Sequence, residues 1–262
     1  MLGGDVRYPV LRPPYCYRWA VLLTSVATVV MLAVTALRSG AADAPADLVA
    51  HPTPLPTTTA APVPAELVRH TADPGRVVAL TFDDGPHPEY TPQVLGLLAR
   101  YGAVATFCIV GAEAARHPEL VRAVVAAGMA LCSHTVSHDE NLPARTAEQI
   151  ESEVVGGRTA VQAAAGGDVT VPYFRAPAGN WSAPVQEIAA RNGMRPLSWA
   201  VDSRDWRRPG MDQIVATVQQ SVHPGAVVLL HDGGGRRDQT VTALAELLPW
   251  LVAQGYGFSL PA

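Results

Sequence analysis

The chain contains no lysine; all 19 basic residues are arginine. That absence excludes a lysine Schiff base, a P-loop lysine and a catalytic Ser-Lys pair. Neither a G-x-S-x-G elbow nor a G-x-G-x-x-G loop occurs, so the usual serine-hydrolase and dinucleotide signatures are missing as well. Charge is sparse, at 16% of residues with a net charge of -4, which argues against a nucleic-acid partner. Only three cysteines are present, Cys16, Cys108 and Cys132, without zinc-ribbon spacing and too few for a disulfide framework. Cys108 and Cys132 sit in apolar runs and read as small buried hydrophobes in preference to a bridged pair.

What the chain does have is apolar content, 48% of 262 residues, enough to build the core of one large α/β domain or two small ones. Residues 19–37, "WAVLLTSVATVVMLAVTAL", carry no charge, and as a helix they would span roughly 28 Å, the thickness of bilayer hydrocarbon. Arg7, Arg12 and Arg18 precede the run, so residues 1–18 are expected on the cytoplasmic side and everything after Arg38 outside. An uncleaved single-pass anchor is the favoured expectation. Cleavage at Ala42-Asp43-Ala44, which would release a secreted protein, is the alternative. Residues 38–70 are read as a linker rich in Ala, Pro and Thr and lacking hydrophobic periodicity, an extended spacer ahead of a domain over 71–262.

Within that domain, short β-branched runs alternate with helical stretches. Strands are expected at 77–82, 104–110, 129–133, 172–175, 196–202, 226–231 and 256–260. Segments such as "TPQVLGLLARYG" and "TAEQIESEVVGGRTAVQAAAG" between them show helical spacing and stop at glycine. Continuous apolar strands alternating with helices imply a parallel sheet, and about seven such units suit a barrel better than an open sheet. In either architecture functional residues gather at the carboxyl ends of strands. The strand exits here are rich in chemistry: Asp83-Asp84-Gly85-Pro86, His134 and His138, Arg175, Asp205-Trp206 and His231-Asp232. The two imidazoles of His134 and His138 are spaced to converge on one site, and with a carboxylate from the same rim they would make a donor set suited to a catalytic divalent metal, Zn2+ ahead of Co2+, Ni2+ or Mn2+.

Five motifs occur in order over residues 76–262: "TFDDGP", "HTVSH", "RAPAG", "DSRDW" and "LLH". In these the chain resembles the NodB-homology domain of the polysaccharide deacetylases, carbohydrate esterase family 4. The resemblance implies a distorted (β/α)7-type barrel and metal-assisted removal of acetyl groups from N-acetylated sugars. It implies Asp83 as general base, paired with Arg175, and Asp84, His134 and His138 as metal ligands. A backbone N–H near Ala178 would bind the oxyanion, at a position where the family often has an aromatic residue. His231 would be the general acid, tuned by Asp205, with Trp206 and Leu229 lining a pocket for the acetyl methyl. Read without the resemblance, the Arg175 pair could be a structural salt bridge and His231 a neutral core histidine. His87, beside the first motif, is a further candidate for substrate contact, and "GGGRRD" at 233–238 reads as a mobile loop at the rim.

The expected partners are therefore a cell-wall glycan and, through the N-terminal segment, a membrane. Peptidoglycan is the leading substrate, with chitooligosaccharide and an O-acetylated polysaccharide such as xylan as alternatives for the same site. A catalytically silent glycan-binding wall module is the alternative from another class.

Overall fold

The computed structural model describes residues 61–262. The apolar run at 19–37 and residues 38–60 of the spacer lie outside the described residues. Among the described residues, no helix is long and apolar enough to cross a membrane.

Eight strands form a curled, all-parallel sheet: β1 (Val77–Asp83), β2 (Ala105–Ile109), β3 (Ala130–Ser133), β4 (Tyr173–Phe174), β5 (Arg195–Pro196), β6 (Val201–Asp202), β7 (Val227–His231) and β8 (Gly257–Phe258). The order is β5-β4-β3-β2-β1-β7-β6, with β8 pairing the start of β1. Seven helices cover it: α1 (Thr91–Arg100), α2 (Gly111–Arg116), α3 (Pro118–Ala126), α4 (Ala147–Ala165), α5 (Ala183–Arg191), α6 (Met211–Ser221) and α7 (Asp238–Ala253). This is the barrel-type α/β sheet expected from the strand and helix alternation.

The run 196–202, expected as one strand, is two. β5 and β6 lie at opposite ends of the strand order, and residues 197–200 cross the gap between them. The backbone there serves two partners: Ser198 N donates to Val68 O at 2.8 Å, and Ala200 N to Val227 O at 2.9 Å. Val68 itself is buried and bridges Leu197 in parallel, while His70 bridges Ala226. The last residues of the segment read as linker thus dock on the domain and help to fill the seam of the barrel.

Alternation sorts the sheet into two faces. Val78, Leu80 and Phe82 of β1 pack outward with Phe107, Ile109, Val228 and Leu230 into the main core beneath the helices. Ala79, Cys108, Cys132, Tyr173, Leu197 and Val227 form the smaller inner cluster. Cys108 and Cys132 are register partners on adjacent strands, with Cα atoms 4.2 Å apart, and they are joined as a disulfide. The reading as free buried thiols is corrected. Sequence separation gives no information on strand register, and register is what makes the two residues neighbours.

Candidate active site

The inner face carries its chemistry at the carboxyl ends of the strands. Asp83 and His231 are register partners at the ends of β1 and β7, and Thr81 and Leu229 are partners two residues earlier. Because side chains repeat every second residue, Leu229 lies beneath His231 on the same face. Asp83, Asp84, His134, His138, Ala178, Trp206, Leu229 and His231 all line one cleft of about 330 Å³.

Asp84 turns away from the strand with φ 70°, a left-handed conformation uncommon outside glycine, and the Gly85-Pro86 bond that follows is cis. The turn frees adjacent carboxylates from opposite faces of a strand. Asp84 Oδ1 lies 3.4 Å from His134 Nε2 and 3.1 Å from His138 Nε2. One ligand atom from each of the three residues lies within 4.8 Å of the others. Asp84 Oδ1 is buried without a hydrogen-bond partner, as an oxygen reserved for a cation would be. His134 Nδ1 meets the Arg175 carbonyl oxygen at 2.8 Å, which assigns the proton to Nδ1 and leaves the Nε2 lone pair facing the triad. Burial opposes ionisation of Asp84, but the facing imidazoles of His134 and His138 outweigh it and hold the carboxyl far below the usual range. His138 is raised in return, chiefly by the facing Asp84 carboxylate. The residues present fit a divalent metal.

The loop bearing both histidines is held from below by α4. Thr146 and Gln149 form a capping box that starts this helix. One turn on, Glu153 Oε2 accepts from Val136 N at 2.9 Å and Ser137 N at 3.0 Å, and its Oε1 accepts from the Ser137 hydroxyl at 2.9 Å. On the same face, a Cβ at Gly157 would meet the Thr135 carbonyl oxygen at 2.7 Å, and one at Gly156 would meet Val136 at 2.8 Å. Two glycines in a helix interior each cost about 1 kcal/mol relative to alanine, and here they let the ligand loop approach the helix backbone.

Arg175 follows β4 and is fully buried. Its Nη1 donates to Asp83 Oδ1 at 2.6 Å and to Thr81 Oγ1 at 2.9 Å, while Nε and Nη2 donate to the carbonyls of Leu197 and Ser198, each at 3.1 Å. Every side of the guanidinium is used, and Asp83 is fixed beside the triad, its Oδ2 3.8 Å from His134 Nε2. His231 Nδ1 pairs with Asp205 Oδ1 at 2.6 Å, and Asp205 Oδ2 accepts from His231 N and from Thr240 Oγ1, each at 2.8 Å. Burial disfavours the imidazolium, but the Asp205 carboxylate outweighs it by charge and hydrogen bond, and His231 is pushed up to about 9.

Asp202 and Gly179, from the "DSRDW" and "RAPAG" motifs, also line the cleft. Several features of the site were not legible in the sequence, among them Trp199 and Glu140 in the same lining. Gly179 has φ 68°, and a Cβ there would sit 2.5 Å from the Trp199 ring, so this glycine lets the indole lie against the turn that carries Ala178. The 233–238 stretch is anchored at Gly233 and Arg237, with Gly234 to Arg236 exposed between them: Arg237 is buried, donates to the carbonyls of Gly233 and Gly234, and places Nη2 3.8 Å from Asp84 Oδ2. The glycine run was the available signal, since glycine marks close backbone approach as readily as mobility. Asp232, fully buried behind the Gly85-Pro86 turn, accepts from Thr91 Oγ1 and is raised to about 7, first by burial. His87 lies outside the cleft lining and stacks on Tyr90, with ring centroids 4.6 Å apart.

A carboxylate and an imidazole on neighbouring strands, beside three side chains that could hold a cation, suit hydrolysis. The sequence profile of the polysaccharide deacetylases matches residues 70–197. A chitooligosaccharide deacetylase of Sinorhizobium fredii is 42% identical over 189 residues, covering 68% of this chain and 87% of the relative. A peptidoglycan-N-acetylglucosamine deacetylase of Bacillus cereus is 42% identical over 188 residues, covering 70% and 85%. The solved structure of a family 4 carbohydrate esterase from Streptomyces lividans, in complex with acetate, aligns with a TM-score of 0.64 at 33% identity, covering 71% of this chain and 93% of that one. The chain belongs to the polysaccharide deacetylase family.

Proposed function

We propose that the protein is an extracytoplasmic N-deacetylase of a cell-wall glycan, peptidoglycan in the first place, that works with one divalent metal, Zn2+ by preference. The register of Asp83 with His231, placing base and acid side by side in one cleft with the Asp84, His134 and His138 triad, carries this reading. The Cys108–Cys132 disulfide supports a location outside the reducing cytoplasm, as does the apolar run at 19–37. The Bacillus relative's substrate favours peptidoglycan, and the Sinorhizobium relative's keeps chitooligosaccharide as the alternative.

When bound by Asp84, His134 and His138, a divalent cation supplies Lewis-acid polarisation of the acetyl carbonyl and acidifies water. Asp83, oriented by Arg175, takes a proton from the water whose oxygen attacks the carbonyl carbon. The backbone N–H near Ala178, on a turn strained to φ 52°, donates to the oxyanion that develops. His231 then gives its proton to the sugar nitrogen as the C–N bond breaks, leaving acetate and an amine. Leu229 and Trp206 enclose the acetyl methyl, while Trp199 offers an aromatic wall to the sugar.

The test is acetate release from purified peptidoglycan, chitooligosaccharide and acetylxylan. Release that a chelator abolishes and added Zn2+ restores is expected. Chelator-insensitive release would overturn the metal-dependent mechanism, and the preferred glycan identifies the substrate.

The acid assignment makes a pH prediction. Protonated His231 is the competent form, so kcat should fall as pH rises through about 9. In Asp205→Asn the favourable charge is gone while burial remains, so the alkaline limb should move below pH 9 toward neutrality. Stability follows the same sign. The folded value lies above the ordinary 6.5, so the pair's contribution is complete below pH 6.5 and is lost as pH rises through about 9. A kcat profile with an unchanged alkaline limb in Asp205→Asn would remove His231 from the acid role.

A further inference from the structure

We propose that two arginine-bearing loops on one side of the cleft form an anion-recognition edge, which selects glycans carrying a carboxylate close to the acetylated sugar. The inference rests on the deacetylase reading and names a substrate feature for it. Five arginines fall in these loops: Arg204, Arg207 and Arg208 after β6, and Arg236 and Arg237 after β7.

The first loop is tied to the reaction centre through Asp205, which is buried against His231. Trp206, the next residue, lines the cleft yet is 46% exposed, and the Arg207 guanidinium lies over its ring, 4.6 Å from the centroid. Arg204 and Arg208 bracket this turn with φ 57° and 54°, so two non-glycine residues are held in left-handed backbone around the arginine-bearing corner. The second loop begins at the metal triad, where buried Arg237 approaches Asp84. Its neighbour Arg236 and Arg208 of the first loop converge on one oxygen, Asp238 Oδ1, at 3.4 and 3.6 Å. Among the described residues, Arg204 and Arg207 form no ion pair, and Asp238 is the sole carboxylate that Arg208 and Arg236 share. Of the four exposed guanidinium groups, two therefore share one carboxylate and two carry no ion pair, while half-buried Asp202 in the cleft lining accepts from the Arg204 backbone N–H. A neutral glycan has no use for that excess, whereas a guanidinium offers a carboxylate a two-pronged donor pair.

The experiment compares peptidoglycan glycan strands freed of stem peptides, whose lactyl carboxylates are released by hydrolysis of the amide to the peptide, with the same strands after methyl esterification. The readout is the ratio of kcat/KM for free over esterified strands. In the wild type this ratio should be about tenfold, shrinking as salt shortens the range of the attraction. R207Q/R236Q should bring it close to one, and R207K/R236K, which retains both charges, should preserve most of it. A wild-type ratio near one, or equal ratios in wild type and the glutamine variant, would overturn the edge while leaving the deacetylase reading in place. Acetate release from neither strand nor chitooligosaccharide would overturn that reading and the edge with it.

Discussion

Asp83→Asn is expected to lower kcat for acetate release about 1000-fold, within the range that general-base groups contribute, while the purified variant retains its metal. The carboxamide cannot take the proton from water, and the three metal ligands are untouched. The confounding effect is stability. Removing one partner of a buried ion pair commonly costs about 3–5 kcal/mol, because the other charge is left uncompensated. Here Arg175 keeps the Thr81 hydroxyl and the Leu197 and Ser198 carbonyls as acceptors, and the asparagine oxygen can still accept from Nη1. A loss of about 1–3 kcal/mol in denaturant unfolding is therefore expected, well short of unfolding the domain. Acetate release at one rate by wild type and variant would take the base role from Asp83. Release by neither, from every acetylated glycan, would favour the catalytically silent wall module.

Gly233→Ala should weaken metal binding at least tenfold and destabilise the domain by about 1–3 kcal/mol, although residue 233 is not a ligand. A Cβ there would lie 2.1 Å from the Asp84 carbonyl oxygen, 2.3 Å from its carbon and 2.6 Å from Gly85 N. All three atoms are backbone, so no side chain can swing aside. The backbone has little room to yield: Asp232 N and Gly233 N both donate to the Asp83 carbonyl oxygen, at 3.1 and 3.3 Å, and Asp84 already sits at positive φ. The overlap is relieved only by moving the residue that carries the carboxylate ligand. Competition titration against a chromogenic chelator measures the first effect and denaturant unfolding the second. Gly96→Ala is the control, since a Cβ there meets nothing within 4 Å and lies in the helix Thr91–Arg100. Metal affinity unchanged in Gly233→Ala would show that the glycine loop does not position Asp84.

Much of this architecture was legible because it rests on local pattern. Apolar runs such as "VVALTF" cannot be solvated on either face, and the helices between them repeat with a period near 3.6, so a parallel α/β sheet follows. Chain direction in such a sheet sends each strand exit to one rim, which is why Asp83, Asp84, His134, His138, Arg175, Asp205 and His231 could be grouped before any coordinates. The break in 196–202 was not legible, because a run long enough for one strand looks the same whether it pairs on one side or crosses a seam. The Arg237 and Glu153 contacts were missed for a related reason: Glu153 acts on backbone groups 17 and 16 residues away, and Arg237 folds back on its own loop to face Asp84 across the fold.

The sequence by itself determined the class of fold, the rim on which chemistry would collect and the donor set for a cation, since periodicity, strand direction and residue type are properties of the chain. Only the tertiary structure decided that Cys108 meets Cys132, that Asp83 stands level with His231, that α4 pins the histidine loop and that arginines crowd one edge of the cleft. Each of these depends on register and on close packing between distant segments. A shift of one residue along a strand would send Cys108, Cys132, Asp83 or His231 to the other face.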